Sequence, residues 1–385
     1  MHKLENGGDG SSAAGALPLG RGNGCLQTLS IKDQAEWNQT LARAGTYDFY
    51  HTVEYHAMAQ ERDEGLACLF VYEEERYTVA LPLLLRSIDF PAHHVMPKVA
   101  WKDATSVYGY AGPVASHTNI PRSVLQGFHT KLYGELRRRG VISVFSRLHP
   151  LIENGEILAG IGELKGLGKT VSICLRSPIA SQKADYRENH KRGIVKLEQL
   201  GVVCIEDSSF THLDRFVSLY TATMLRVGAD DSYIFDHAYF SALKEKLGPA
   251  CHLFIAWLNG EAIAGGVFIE CGGILQYHLG ASRDEYLKMA PMKMVFDTVR
   301  QWASQRGMKL FHLGGGVGSN EDSLFQFKAG FSKLRHHFAC WRWVLDVPAY
   351  LCACEITTRC CEQNNLRPAV PEFFPAYRNR LVPRE

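Results

Sequence analysis

Apolar and polar positions follow two periods along this chain, and the switches between them outline its elements. β-Forming runs predict strands over 25–31 (CLQTLSI), 67–74, 77–88, 106–114 (SVYGYAGPV) and 141–148. Helical spacing predicts helices over 33–44, with Asp33 near the cap, over 48–61 and over 121–140. The last opens on Pro121 and closes on Arg137-Arg138-Arg139-Gly140, where cations suit the helix dipole. Around 166–169 the pattern begins again. A strand over 170–177 leads to a basic helix over 185–201, a strand over 202–207 and helices over 211–228 and 236–248. Strands over 251–259, 261–271 and 273–282 come next, the first two joined by Asn259-Gly260, a strong hairpin signal. A helix over 286–307, a strand over 308–316, a short helix over 321–330 and a strand over 336–346 complete the pattern. The second half reads β-α-β-α-α-β-β-β-α-β-α-β, and the first half is a looser version of it. The expected fold class is α/β (mixed α+β), with hairpins in the middle and helix-connected strands at both ends.

A length of 385 residues exceeds what one hydrophobic core usually supports, so two domains are expected. Residues 1–25 read as a disordered tail, rich in Gly, Ser and Ala and without the apolar stretch of a signal peptide. A net charge of +2 does not indicate a general nucleic-acid binder and leaves room for RNA contact through a local basic patch. No run approaches the length of a membrane span, and the expected location is the cytoplasm. Eleven cysteines without a CxxC pair read as reduced, structural thiols. The cluster Cys352, Cys354, Cys360 and Cys361 matches no common zinc spacing, and no metal is expected. Neither GxGxxG after a first strand nor GxxxxGK[ST] occurs, which removes the Rossmann and P-loop readings.

The stretch HLGGGVGSNEDSLFQFKAGFSK, from His312 to Lys333, carries the most chemistry. Gly314, Gly315 and Gly316 allow positive φ and close backbone approach at a strand end, and Ser319-x-x-Asp322 resembles a capping pattern. Lys328 lies between Phe327 and Phe331, so its ammonium sits in apolar company. Such a charge could meet a developing oxyanion; a lysine snorkelling to solvent is the plainer alternative.

The segments QYHLGAS, YLKMAPMKMVFDTVRQWASQRGMKLFHLGGG and DSLFQFKAGFS resemble the C-terminal half of the FemABX family, within the GNAT acyltransferase superfamily. The similarity covers about residues 26 to 345 and is weakest in the first part. It implies two tandem GNAT-like domains, each a mixed, mostly antiparallel sheet flanked by helices. They are expected over 26–168, completed by 346–385, and over 169–345, the second being catalytic. It also implies transfer of an amino acid from aminoacyl-tRNA to an amine of a peptidoglycan precursor or small peptide, with no cofactor. By resemblance, Lys328 stabilises the tetrahedral intermediate with Phe327 beside it, and Tyr277 lines the acceptor channel. Arg226 holds acceptor phosphates, and Gly314, Gly315, Tyr108 and Tyr110 join in substrate binding. Arg187, Lys191 and Arg192 on the basic helix are candidates for tRNA or phosphate contact, against the plainer reading of a solvated helix face. The chain departs from the family after its Gly-Pro strand end, where Ala115, Ser116 and His117 stand in place of an aspartate. That puts a carboxylate base there in doubt.

An acyl-CoA-dependent N-acyltransferase is the second reading. CoA-dependent GNAT enzymes cradle the pyrophosphate with R/Q-x-x-G-x-G/A, whereas this chain has GASRDEYLKMAP at that place. An inactive GNAT-like binding protein is the third. A monomer is expected throughout.

Overall fold

The computed structural model describes residues 24–90, 100–230 and 233–384. The tail expected over 1–25 lies outside them up to residue 23.

The first unit contains β1 (Cys25–Ser30), α1 (Gln34–Ala44), α2 (Val53–Glu61), β2 (Leu66–Glu74), β3 (Tyr77–Ser87), β4 (Lys102–Thr105), β5 (Val114–Ala115), α3 (Arg122–Arg138) and β6 (Val141–Arg147). After it come β7 (Glu163–Cys174), the single turn α4 (Ile179–Gln182) and the basic helix α5 (Glu188–Gln199). The second unit contains β8 (Val203–Glu206), α6 (Leu213–Arg226), α7 (His237–Leu247), β9 (Cys251–Leu258), β10 (Glu261–Cys271), β11 (Ile274–Ser282), α8 (Met292–Gln305) and β12 (Leu310–Gly314). The short helix α9 (Ser323–Lys328), β13 (Arg335–Val344), α10 (Val347–Gln363) and a small ladder of β14 (Leu366–Pro368) with β15 (Leu381–Pro383) end the chain. Leaving β5 aside, both units run β-α-α-β-β-β-α-β.

Among the described residues, thirteen strands join in one sheet, ordered β1-β2-β3-β4-β6-β13-β7-β12-β11-β10-β9-β8, with β5 on β3. Two strand pairs are parallel, β4 with β6 and β11 with β12, and each is the pair that a helix connects within its unit. The central strands cross between the units. β7 follows the first unit yet pairs with β12 of the second, and β13 follows the second yet pairs with β6 of the first. The division expected between residues 168 and 169 therefore falls inside β7.

Burial explains the local choices. β3 is apolar without alternation, and nine of its residues are buried because α3 covers one face and α1 with the start of α2 the other. One hydrophobic cluster runs through both units, joining Phe49, Tyr55 and Met58 to Phe216, Tyr239 and Leu253. The C-terminal residues pack on the first unit: Ala349 and Ala353 of α10 meet Ile142, and the Tyr377 hydroxyl lies 2.7 Å from Ser143 Oγ.

Three expectations need correction. The strand expected over 106–114 is instead a bend, because Gly109 and Gly112 take positive φ (113° and 91°) and turn the backbone out of the sheet. The single helix expected over 48–61 is a 3-10 turn (Phe49–His51) followed by α2; extended Thr52 separates them and caps α2 through Tyr55 N. The helix α10 was missing from the predicted pattern. Asp346 caps it by accepting from Ala349 N at 3.0 Å. Among the described residues, no helix is long and apolar enough to cross a membrane.

Candidate functional site

The parallel strands β11 and β12 pair only at their beginnings, Ile274 to Gln276 against Leu310 to His312. Beyond Gln276, β11 continues to Ser282 with β10 alone, while β12 stops at Gly314. A gap therefore opens beside Tyr277. At its edge the register of β12 on β7 shifts between His312 and Gly314, and Gly314 takes φ 76°. A Cβ there would lie 3.4 Å from Lys328 Nζ and 3.7 Å from the Tyr110 hydroxyl. Two residues on, a Cβ at Gly316 would run into Asn320 O at 2.1 Å, so the loop folds tightly on itself. Asp322 closes it, accepting from Val317 N at 3.1 Å and from Phe325 N at 2.9 Å. Asp322 is thus the cap of α9, and the capping role read into Ser319 is corrected: Ser319 lies in the preceding turn with φ 68°.

Lys328, the last residue of α9, is 6% exposed. Its Nζ donates to Gly315 O at 2.6 Å and stands 5.5 Å from the Tyr277 ring centre. Burial pulls the ammonium down from an ordinary 10.5 to about 8, against a smaller upward pull from Asp322. The snorkelling alternative is removed by this burial. Phe327 packs with Phe296, Phe331 and His190, and its carbonyl lies 2.9 Å from His190 Nε2. Helix α5 is docked to α9 by that contact and by Arg187, which donates to Gln326 O at 3.3 Å.

A chain of buried polar groups runs beneath the glycine loop. His312, 0% exposed, lies with Nδ1 2.6 Å from Gln276 Oε1. Gln276 Nε2 donates to Asp48 Oδ2 at 2.6 Å, and His149 Nε2 meets the same oxygen at 2.8 Å. Asp48 and His149 come from the first unit, so the chain bridges both halves. Desolvation holds His312 well below the ordinary histidine range, helped by His149, His336 and Lys328.

The structure brings together Lys328, Tyr277, Gly314, Gly315 and Tyr110, the last delivered from the first unit by the Gly109–Gly112 bend. Phe327 adjoins them but turns into the core. Tyr108 packs with Tyr233, Phe235 and His278 and acts on Tyr277 through space. Arg226 lies at the far end of β11, paired with Asp284. Lys191 pairs with Glu188 at 2.9 Å, and Arg192 is exposed. His117 is also exposed, against Ser116 and Tyr77. The sequence reading missed Asp48, His149 and Gln276 and gave His312 no role. A lone polar residue inside an apolar strand, as in LFHL and ILQYHL, was the available signal.

Residues 184–328 match the family described as Acetyltransferase (GNAT) domain, a span ending on Lys328. FemX, known from its crystal structure, is similar with TM-score 0.64 and 13% identity, over 85% of this chain and 99% of that one. The L-PGS of Bacillus licheniformis is similar with TM-score 0.51 and 13% identity, over 85% of this chain and 96% of that one. No curated protein matches the chain. Residues 184–328 thus form a GNAT acyltransferase domain. The chain carries its GNAT domain in the second half of a FemX-like fold of two units.

Proposed function

We propose that this protein is an aminoacyltransferase that moves an amino acid from aminoacyl-tRNA to the amine of a peptidoglycan precursor or small peptide. The observation that carries the reading is the buried Lys328 ammonium at the mouth of the β11–β12 gap. In a desolvated site such a charge acts strongly on an oxyanion. The acceptor nitrogen attacks the ester carbonyl, Lys328 meets the negative oxygen, and collapse expels the ribose oxygen to leave an amide. The ester is already activated, so positioning by Tyr277, Tyr110 and the glycine loop supplies much of the acceleration. Tyr108 extends the aromatic wall, and Arg226 is available to acceptor phosphates by exchanging its partner Asp284. Arg187, Lys191 and Arg192 present positive charge beside α9 to the tRNA. The protein acts as a cytoplasmic monomer and needs no cofactor.

The match to an acetyltransferase family favours a second reading, in which acyl-CoA is the donor. Against it, the turn after β11 has no glycine pair, and its amides bond internally: Tyr286 N to Arg283 O and Ala290 N to Leu287 O, both near 3 Å. Incubation with radiolabelled aminoacyl-tRNA or acetyl-CoA and a panel of amines separates the two. Label leaving tRNA for the amine, and lost with Lys328→Ala, is the expected result. Label moving only from acetyl-CoA would refute the tRNA donor.

A further inference from the structure

We infer that His312 is the proton acceptor of the transfer site, held with a bare Nε2 by a hydrogen-bond chain anchored in the other half of the protein. This rests on the transferase reading above.

Each proton along the chain is placed by elimination. Leu151 N donates to His149 Nδ1 at 3.2 Å, so His149 carries its proton on Nε2 and donates it to Asp48. Asp48 accepts from His149, from Gln276 and, on its other oxygen, from Phe49 N at 2.7 Å. The Gln276 amide must therefore turn its NH₂ to Asp48 and its oxygen to His312. An amide oxygen only accepts, so the His312 proton sits on Nδ1, and Nε2 keeps a free lone pair. Among the described residues, no group bonds Nε2 although the ring is wholly buried. A buried acceptor without a partner calls for an explanation.

The surroundings supply one. The Tyr110 ring meets His312 edge-on at 5.3 Å, and the His149 ring lies 6.5 Å away. His336 and Lys328 act on it through space, His336 being held 2.6 Å from Ser172 Oγ on the neighbouring strand. Lys328 and Tyr110 both flank Gly314, two residues along from His312. The free lone pair and the oxyanion donor thus belong to one strand end. The neutral imidazole leaves Lys328 as the cation of the site. Positive charge reaching His312 during reaction is answered by Asp48 through Gln276, much as a buried aspartate supports a catalytic histidine.

The acceptor enters as a free amine. As its nitrogen bonds to the carbonyl carbon, its proton passes to His312 Nε2. When the ester C–O bond breaks, the bonding pair goes to the ribose oxygen and His312 returns the same proton to it. Imidazole ends neutral, and nothing is oxidised or reduced.

The test combines kinetics with the tautomer itself. His312→Ala should lower kcat by about 10²- to 10⁴-fold, the range of general-base removal, with KM little changed. Added imidazole should restore part of the rate, which a merely structural role would not allow. In ¹⁵N-histidine-labelled wild-type protein, His312 should show the Nδ1-protonated tautomer, a measurement that stands even where the variant fails to fold. Full activity of His312→Ala, a loss that imidazole leaves unchanged, or an Nε2-protonated His312 would each overturn the inference. If wild type transfers label and Lys328→Ala does not, while His312→Ala is fully active, the inference alone fails. Wild type that transfers from neither donor sinks both.

Discussion

Replacing Lys328 with methionine keeps the apolar stem and removes a charge from a site only 6% exposed. Folding takes that ammonium from an ordinary 10.5 to about 8, and at 1.36 kcal/mol per pH unit the difference is about 3 kcal/mol. Because the folded value is depressed, the unfolded chain binds the proton more tightly. The burden on folding is complete below about pH 8 and is relieved as the pH rises through 10.5, above which both states are neutral. Methionine carries no such burden but leaves Gly315 O without its donor, a loss of about 1–3 kcal/mol. At pH 7 the two effects oppose, and the variant is expected to be as stable as wild type or up to about 2 kcal/mol more so. The pH dependence is free of that offset. Urea unfolding of both proteins at intervals from pH 7 to 10 should show wild type gaining on the variant by up to about 3 kcal/mol. At pH 7 the variant should transfer at least about 10²-fold more slowly, and the gap should narrow as wild-type activity falls with the pH rising through about 8. A stability difference that stays flat from pH 7 to 10 would refute the buried ammonium and the mechanism built on it.

Acid should unfold the protein steeply. Burial lowers His51 and His278 to about 3 and His56 and His190 to about 4, and His312 lies well below its ordinary range. The unfolded chain takes up these protons first, so stability drops as pH falls below about 6.5; denaturant titrations from pH 7 to 4 should show a slope of several protons. Gly314→Ala should cost about 1–2 kcal/mol for its left-handed backbone and, by crowding Lys328 Nζ, lower kcat beyond what the fold loses; thermal unfolding beside single-turnover kinetics separates the two. Asp322→Ala should cost about 1 kcal/mol through the lost cap of α9 and should slow transfer, because the same carboxylate fastens the glycine loop.

The β-α-α-β-β-β-α-β order was legible in the second unit because its strands and helices bury continuous apolar faces, and periodicity registers burial; in the first unit β4 (Lys102–Thr105), short and polar, escaped and the aromatic stretch after it was taken for the strand. The Asn259-Gly260 hairpin and Lys328 between its phenylalanines were legible for similar local reasons. What escaped depends on contacts distant in sequence. Asp48 and Gln276 are 228 residues apart yet 2.6 Å apart in space, and nothing local in either neighbourhood announces the other. The Tyr108–Tyr110 segment looked like a strand from its aromatic residues, but glycine conformation overrode that preference and sent Tyr110 into the opposite half. Asp322 was taken for the partner of a cap because spacing alone does not say which residue leaves the helical backbone first.

The crossing of β7 and β13 bears on how substrates get in. Each half of the sheet is stitched through the other by backbone hydrogen bonds, so the two halves cannot swing apart about a hinge as many two-domain enzymes do. Admission of an acceptor must come from small movements at the gap itself, in the segment from Gly314 to Asp322, which is fastened by Asp322, by Lys328 on Gly315 O and by the Lys169–Glu321 ion pair. The protein would then behave as a rigid frame with a single loose stitch. A residue-184-to-328 fragment would be a poor stand-in for the enzyme, since it would leave β12 with a bare edge where β7 belongs and lose Asp48, Tyr110 and His149 with it.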